Sequence, residues 1–183
     1  PVLQNVKVFN VFWTSAARYQ NEVNAFYPAV LNSPHMDWLN EYDSPGQHLG
    51  RGSFVGSYVD PSSPAGSTVT NEQIQNELSR LLDSNAVPAN DGANMLYMFY
   101  FPQGVKIQLD ASTSSCVQFC AYHNTYTHGG KNVYYGVMPD VNAGAKTIVS
   151  SASHTPPRFV NAAQTTTGTP PSMDTFRSFS FAK

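Results

Sequence analysis

Charged side chains are scarce in this 183-residue chain, and it contains no run of basic residues. Asp, Glu, Lys and Arg together make up 12% of the residues, about half the share usual in globular domains, and the formal net charge is −2. Because binding to nucleic acid needs clustered positive charge, we expect no nucleic-acid partner. The same scarcity gives no electrostatic basis for attachment to a membrane surface.

Long hydrophobic runs are also missing. No apolar stretch approaches the ~20 residues that a membrane-spanning helix needs, so we expect no transmembrane segment. Hydrophobic residues nevertheless make up 41% of the chain, enough for the core of one domain. A neutral polar surface around an aromatic-rich core is typical of many extracellular proteins, and we expect this protein to be secreted.

Cysteine is nearly absent, with only Cys116 and Cys120 in a C-x-x-x-C arrangement. A redox or metal-binding pair is one interpretation, but redox pairs usually have the spacing C-x-x-C, and two thiolates alone rarely hold zinc. A short disulfide loop formed in an oxidising compartment is the interpretation we favour. Such a loop would mainly fix local geometry, because closing so few residues gives modest stabilisation.

Hydrophobic periodicity predicts an α+β fold with a mixed β-sheet packed with helices. We place one globular α+β domain in residues 1–149 and a Ser/Thr/Pro-rich C-terminal segment in residues 150–183, packing on that domain or extending from it. Helices are predicted at 16–31, with a kink or break at Pro28, at 34–42 behind Ser33, and after a capping box at Thr70. Strands are predicted at 2–13, 50–60, 95–101, 105–109 and 133–138.

Two constellations could carry chemistry. His123 and His128 follow the cysteines and are weak candidates for a metal-binding or catalytic pair, although packing and a solvated turn explain them more simply. Asp37 and Glu41 stand four residues apart on a predicted helix, as an acid/base pair would, but a solvated helix face is the commoner cause. No phosphate-binding glycine motif and no serine-hydrolase elbow is present, so the catalytic residues are unknown.

Between about residue 3 and residue 140 the chain resembles a family of secreted, largely uncharacterised bacterial and fungal proteins. Members of that family continue with a Ser-His-Glu-x-x-Glu-Ala helix, which looks like the zinc-binding helix of a metallopeptidase. The resemblance implies a zincin-like architecture and a secreted protein, for which we expect a fungal source. It rests on the stretches 6–13, 36–42, 50–53, 94–105 and 115–123.

The sequence departs from that family where the catalytic helix should begin. His154 stands at the position of the first zinc ligand, but Thr155, Pro156 and Pro157 follow it instead of the Glu and a second ligand. Two successive prolines also oppose a helix at this point. We therefore expect no cofactor for the chain as written, with His154 a vestigial metal ligand. Zinc is expected only if the family motif is really present.

Three functions are compatible with these residues. A secreted, non-catalytic binding or defence protein, lectin-like or cytotoxin-like, is the one we favour, with a carbohydrate or cell-surface ligand. The alternative is a secreted zincin-like metallopeptidase, acting on peptides, whose catalytic helix is lost or misread in this sequence. A purely structural extracellular protein is the third. Because the catalytic set is incomplete, whether the chain is an enzyme stays open at this point.

Overall fold

The computed structural model describes residues 3–61 and 66–141 of the chain. Four helical segments lie within these ranges: α1 Gln20–Leu31, α2 Pro34–Asp37, a 3₁₀ helix Trp38–Tyr42, and α3 Asn71–Asp83. The strands are β1 Lys7–Trp13, β2 Ser53–Asp60, β3 Thr68–Thr70, β4 Met95–Tyr100, β5 Lys106–Gln108, β6 Tyr122–His128 and β7 Lys131–Met138. None of the described helices is long and apolar enough to cross a bilayer.

Five of the strands form one mixed sheet in the order β2-β1-β4-β7-β6. The first four run parallel to one another, and β6 closes one edge antiparallel to β7. The remaining strands, β3 and β5, pair in a separate two-stranded parallel sheet. The predicted mixed sheet with helices is therefore confirmed, as is the prediction that residues 6–13, 95–101 and 133–138 contribute to one sheet.

Helices cover both faces of the large sheet. Strand β1 sends alternate side chains into the apolar cluster on each face. Phe9, Val11 and Trp13 belong to the larger cluster, which is completed by α3 and by the apolar residues of β4 and β7. Val8 points to the opposite face and packs with Leu31 at the end of α1. The second, smaller cluster also holds the segment that follows α1, where the candidate site lies.

A capping box starts α3 as the sequence predicts. The Thr70 hydroxyl accepts a hydrogen bond from the Gln73 amide at 3.2 Å, and the Gln73 side chain accepts one from the Thr70 amide at 2.8 Å. Both bonds satisfy backbone donors that the first helical turn leaves without partners. The helix then presents buried Ile74, Leu78 and Leu81 to the sheet.

Removing this cap should have a measurable cost. We expect Thr70→Ala to lower the free energy of unfolding by about 1 kcal/mol, because one capping bond is lost and the other loses its reciprocal partner. Thr70→Ser, which keeps a hydroxyl, should recover most of that loss. Chemical denaturation of the two variants checks the expectation, and equal losses in both would contradict it.

Two local details of α1 differ from the expectation. Helix α1 begins at Gln20 rather than near residue 16, because Thr14 and Tyr19 adopt left-handed backbone conformations with φ of 77° and 60°. The helix is continuous through Pro28, so the break considered there does not occur. The strand predicted at 105–109 forms as β5, in the small sheet. Strands β3 and β6 were not predicted at all.

Candidate functional site

The segment between α1 and β2 is fixed to the domain by its inner side. Ser33 caps α2: its hydroxyl accepts a hydrogen bond from the His35 amide at 3.3 Å and donates one to the Val30 carbonyl at 2.7 Å. Met36 is buried, and Leu39 packs half-buried against the same small cluster. These two anchors lie three residues apart and share one face, which leaves the side chains between them facing outward.

Aromatic rings occupy the outer side of this segment. Trp38 is 72% exposed and Tyr42 is 63% exposed, whereas the chain's other tryptophan, Trp13, is 3% exposed. The His35 ring meets the Trp38 ring edge-on, with ring centroids 5.8 Å apart and planes at 67°. We call the outward rings of His35, Trp38 and Tyr42 the aromatic platform.

A guanidinium clamp holds the platform from beside it. Arg51 donates to both carboxylate oxygens of Asp37, at 2.9 and 2.7 Å, and donates to the backbone carbonyl and the side-chain oxygen of Asn32, both at 3.2 Å. The hydrogen bonds from Arg51 outweigh the effect of burial and lower the pKa of Asp37. Arg51 thereby joins the end of α1 to the residue immediately before Trp38.

The segment that carries Arg51, just before β2, can approach this closely because Gly52 follows it. A Cβ atom on Gly52 would lie 2.4 Å from the carbonyl oxygen of Val6 and 2.7 Å from its Cγ1 atom. The Gly52 amide donates to the Leu31 carbonyl at 2.9 Å, which ties the strand to the end of α1. The glycine-rich stretch at 46–56 thus has a packing role here, in keeping with its lack of a phosphate-binding pattern.

After the 3₁₀ helix, a second carboxylate fixes the loop that leads to β2. Asp43 accepts hydrogen bonds from the Leu49 amide at 2.6 Å and from Nδ1 of His48 at 2.9 Å. The backbone bond from Leu49, followed by the bond from His48, lowers the pKa of Asp43. The Tyr42 hydroxyl is hydrogen-bonded to the Glu41 carboxylate, which raises the pKa of that phenol.

This arrangement is suited to binding rather than to catalysis. Of the predicted carboxylate pair, Asp37 is engaged by Arg51 and Glu41 by Tyr42, so the two do not face each other as an acid and a base. What the surface offers is the face of an exposed indole, flanked by amide, hydroxyl and carboxylate groups. Exposed apolar surface rimmed by polar groups marks interaction sites in proteins.

The structure does not bring the predicted histidine pair together. His123 and His128 both lie on β6, where successive side chains alternate between faces. Five residues separate them, so they point to opposite faces and stand about 17 Å apart along the strand. His128 instead places Nε2 2.8 Å from the carboxylate of Asp83 at the end of α3.

The cysteine segment forms a tight turn. Cys116 adopts a left-handed backbone conformation with φ of 61°, and its amide donates to the Phe119 carbonyl at 2.7 Å. No bond joins its sulfur to that of Cys120, which is exposed. The expected turn is present, while the disulfide between Cys116 and Cys120 stays a prediction.

The predicted vestigial ligand, His154, and the segment 150–183 lie outside the described residues. Within residues 3–61 and 66–141, no three His, Cys, Asp or Glu side chains come together as a set of metal ligands. Comparison of the chain with family models, curated proteins and solved structures finds no match.

The aromatic platform was not predicted as a site from the sequence. Residues 36–42 were assigned to a predicted helix, to a possible carboxylate pair at Asp37 and Glu41, and to one of the stretches that carry the family resemblance. The signal that could have found it is a tryptophan beside Asp37 in a short segment whose apolar positions, Met36 and Leu39, already account for the inner face. A large aromatic residue left over after the core is assigned indicates a surface with a partner.

Proposed function

We propose that the protein is a secreted, non-catalytic carbohydrate-binding protein, and that its aromatic platform binds an uncharged polysaccharide. The observation that carries the proposal is the 72% exposure of Trp38 on a segment anchored by Met36 and Arg51. A defence role, through recognition of a foreign cell wall, fits the same property. The favoured class from the sequence, a lectin-like binder, agrees with this site.

Leaving a tryptophan in water gives up a large hydrophobic gain. Burying a large apolar side chain is worth about 1.5–3 kcal/mol, and this fold takes that gain for Trp13 but not for Trp38. The flat, weakly polar face of an indole complements the C–H face of a pyranose ring, and nearby amides and carboxylates can bond its hydroxyls. Rings this exposed suit a polymer chain lying across them better than a single enclosed sugar.

The ligand is expected to be uncharged because the ionic groups beside the platform are already engaged. Arg51 is bound to Asp37 at 2.7 Å, and Asp43 is bound to His48 at 2.9 Å. An anionic polysaccharide would have to compete with Asp37 for the guanidinium. The low overall charge of the chain, −2, also gives no long-range attraction for a strongly charged polymer.

Co-sedimentation of the full chain with insoluble chitin, cellulose and β-1,3-glucan tests the proposal. We expect the protein to pellet with at least one of them and to stay bound in high salt, since stacking is not screened as ion pairs are. Polygalacturonate, which is anionic, serves as the comparison polymer and should bind less. Failure to pellet with all three neutral polymers, or release by salt, would contradict the proposal.

We propose that the fold is zincin-like but that the protein neither binds zinc nor hydrolyses peptides. The mixed five-stranded sheet packed with helices and the resemblance over residues 3–140 support this assignment. The opposed directions of His123 and His128 argue against their joining His154 in one site. The alternative, a zincin-like metallopeptidase, would place its first zinc ligand at His154, outside the described residues.

Elemental analysis of the dialysed protein separates the two possibilities. We expect no stoichiometric zinc and no peptide hydrolysis, because three or four ligands are needed and the chain as written supplies one histidine at the family position. His154→Ala should therefore leave both the metal content and the thermal midpoint unchanged. About one zinc per chain would instead favour a metallopeptidase whose tail is misread.

A further inference from the structure

A cavity of about 320 Å³ opens at the start of α3, away from the aromatic platform. Its size is at the lower end of the range of small-molecule sites in proteins. No Lys, Arg, His or aromatic side chain of the described part of the chain lines it. The lining residues are Thr70, Asn71, Glu72, Gln108, Leu109, Asp110 and Ala111.

The cavity lies on the carboxyl side of the large sheet. Its lining segments, 70–72 and 108–111, begin at the last residues of β3 and β5, the strands of the small parallel sheet. Asn71 is hydrogen-bonded to Tyr122, which pairs with Val137 near the carboxyl end of β7. Ligands of open parallel sheets commonly bind outside the carboxyl ends of the strands.

The polar groups of the cavity are held in fixed orientations. The Asn71 side-chain oxygen accepts hydrogen bonds from the hydroxyls of Tyr122 at 2.8 Å and Tyr135 at 2.6 Å, which leaves its NH₂ group as the available donor. Asp110 accepts bonds from the amide and the hydroxyl of Ser112, at 2.8 and 2.9 Å. The Glu72 carboxylate has no hydrogen-bond partner among the described residues.

We propose that this cavity is a second, independent binding site for a single hydroxyl-rich ring such as a pyranose. The two carboxylates accept hydrogen bonds from ligand hydroxyls, the NH₂ group of Asn71 donates, and the Gln108 amide can donate or accept. Leu109 and Ala111 supply the apolar contact for the C–H groups of the ring. The cavity is an open depression with room for one ring, so it suits a chain end or a free monosaccharide.

The two sites share a ligand class but no residue. The platform precedes the start of β2, whereas the cavity follows its carboxyl end, so they lie toward opposite ends of a strand of eight residues. Eight residues of strand span roughly 26 Å. One chain with both sites could therefore bridge two glycans, a consequence that rests on the proposed function of the platform.

Two-dimensional amide NMR of the full ¹⁵N-labelled chain tests the second site. The probes are the methyl glycosides of glucose, mannose, galactose and N-acetylglucosamine, with calcium chloride as a separate titration. We expect at least one glycoside to shift the amides of residues 71, 72 and 109–111 in the wild-type chain and equally in Trp38→Ala. Ala111→Phe, which fills the cavity and leaves its polar groups in place, should weaken that binding by roughly tenfold or more.

Glu72→Gln provides a second variant of unchanged size in case Ala111→Phe alters the loop, and it should weaken the same shifts. The inference is overturned if no glycoside shifts these amides, if Trp38→Ala abolishes the shifts, or if only calcium produces them. If the wild-type chain does not co-sediment with any polysaccharide but a glycoside still shifts the amides at the cavity, the proposal for the platform is wrong and the proposal for the cavity stands. The failures of the two proposals are thus distinguishable.

Discussion

Trp38→Ala is expected to weaken polysaccharide binding by roughly tenfold or more, and to change the free energy of unfolding by less than about 0.5 kcal/mol. The indole is exposed, so its removal leaves no cavity in the core, but it takes away most of the apolar surface that a sugar chain would contact. Binding isotherms on the polysaccharide that retains the wild-type chain give the affinity, and chemical denaturation gives the stability.

Tyr19→Ala is the matched control for this variant. Tyr19 is 59% exposed, much as Tyr42 is, but it precedes α1, and the 12 residues of that helix span about 18 Å. We expect its replacement to leave binding unchanged, whereas Trp38→Phe should keep part of the affinity. Equal losses in Tyr19→Ala and Trp38→Ala would show that exposed aromatic residues bind without a defined site.

Asp91→Ala is expected to lower the free energy of unfolding by about 3 kcal/mol, the largest effect on stability predicted here. One carboxylate oxygen of Asp91 accepts hydrogen bonds from three backbone amides, those of Ala93 at 2.9 Å, Asn94 at 2.7 Å and Met95 at 3.0 Å, and so fixes the entry into central strand β4. Lys7 lies 3.2 Å from the other oxygen. Hydrogen bonds to a charged group contribute about 1.5–3 kcal/mol each, less where solvent competes.

The loss should depend on pH in a defined direction. Burial alone would raise the pKa of Asp91, but the three amides and Lys7 outweigh burial and lower it well below its ordinary value. The stabilisation is therefore fully present above the unfolded pKa, near 3.9, and is lost as the pH falls toward the lower folded pKa. Denaturation at pH 7 and near pH 3 should show a smaller gap between wild type and Asp91→Ala in acid.

Asp91→Asn separates geometry from charge. The amide oxygen can still accept from the backbone, so we expect an intermediate loss that varies less with pH than the wild-type contribution. A gap of the same size at both pH values for Asp91→Ala would contradict the ionic account.

Elements specified by local chemistry could be predicted from the sequence. The capping box at Thr70 and the Ser33–Pro34 start of α2 depend on residues within four positions of one another, and both form as expected. The buried strands β1, β4 and β7 can be recognised from their high content of β-branched and aromatic residues. Their shared membership of one sheet follows because apolar strands must bury both faces.

Elements decided by distant partners could not be predicted in the same way. Strand β5 pairs with β3, some 38 residues earlier, and nothing local distinguishes that partner from the large sheet. Strand β6 is polar because it lies at an edge, so it lacks the apolar signal of a central strand. One signal was readable: Gly129 and Gly130, with φ of 56° and 75°, form the two-residue turn typical of a tight hairpin.

The candidate site shows the same division. The inner residues Met36 and Leu39 follow from helical spacing. Tyr42 continues the same spacing, but the structure ends the 3₁₀ helix there and leaves that ring outside the cluster that holds the other two. Exposure of Trp38 also depends on what the rest of the chain places over it, which the local spacing does not determine.

The two tryptophans allow the central claim to be tested on the unmodified chain. Trp13 is buried and Trp38 is exposed, so aqueous iodide should quench mainly the Trp38 emission. We predict that a soluble oligosaccharide of the polymer that retains the protein reduces iodide quenching and shifts the emission to shorter wavelength. Quenching that stays unchanged while the oligosaccharide is bound would show that the sugar does not cover Trp38, and would contradict the platform as the binding site.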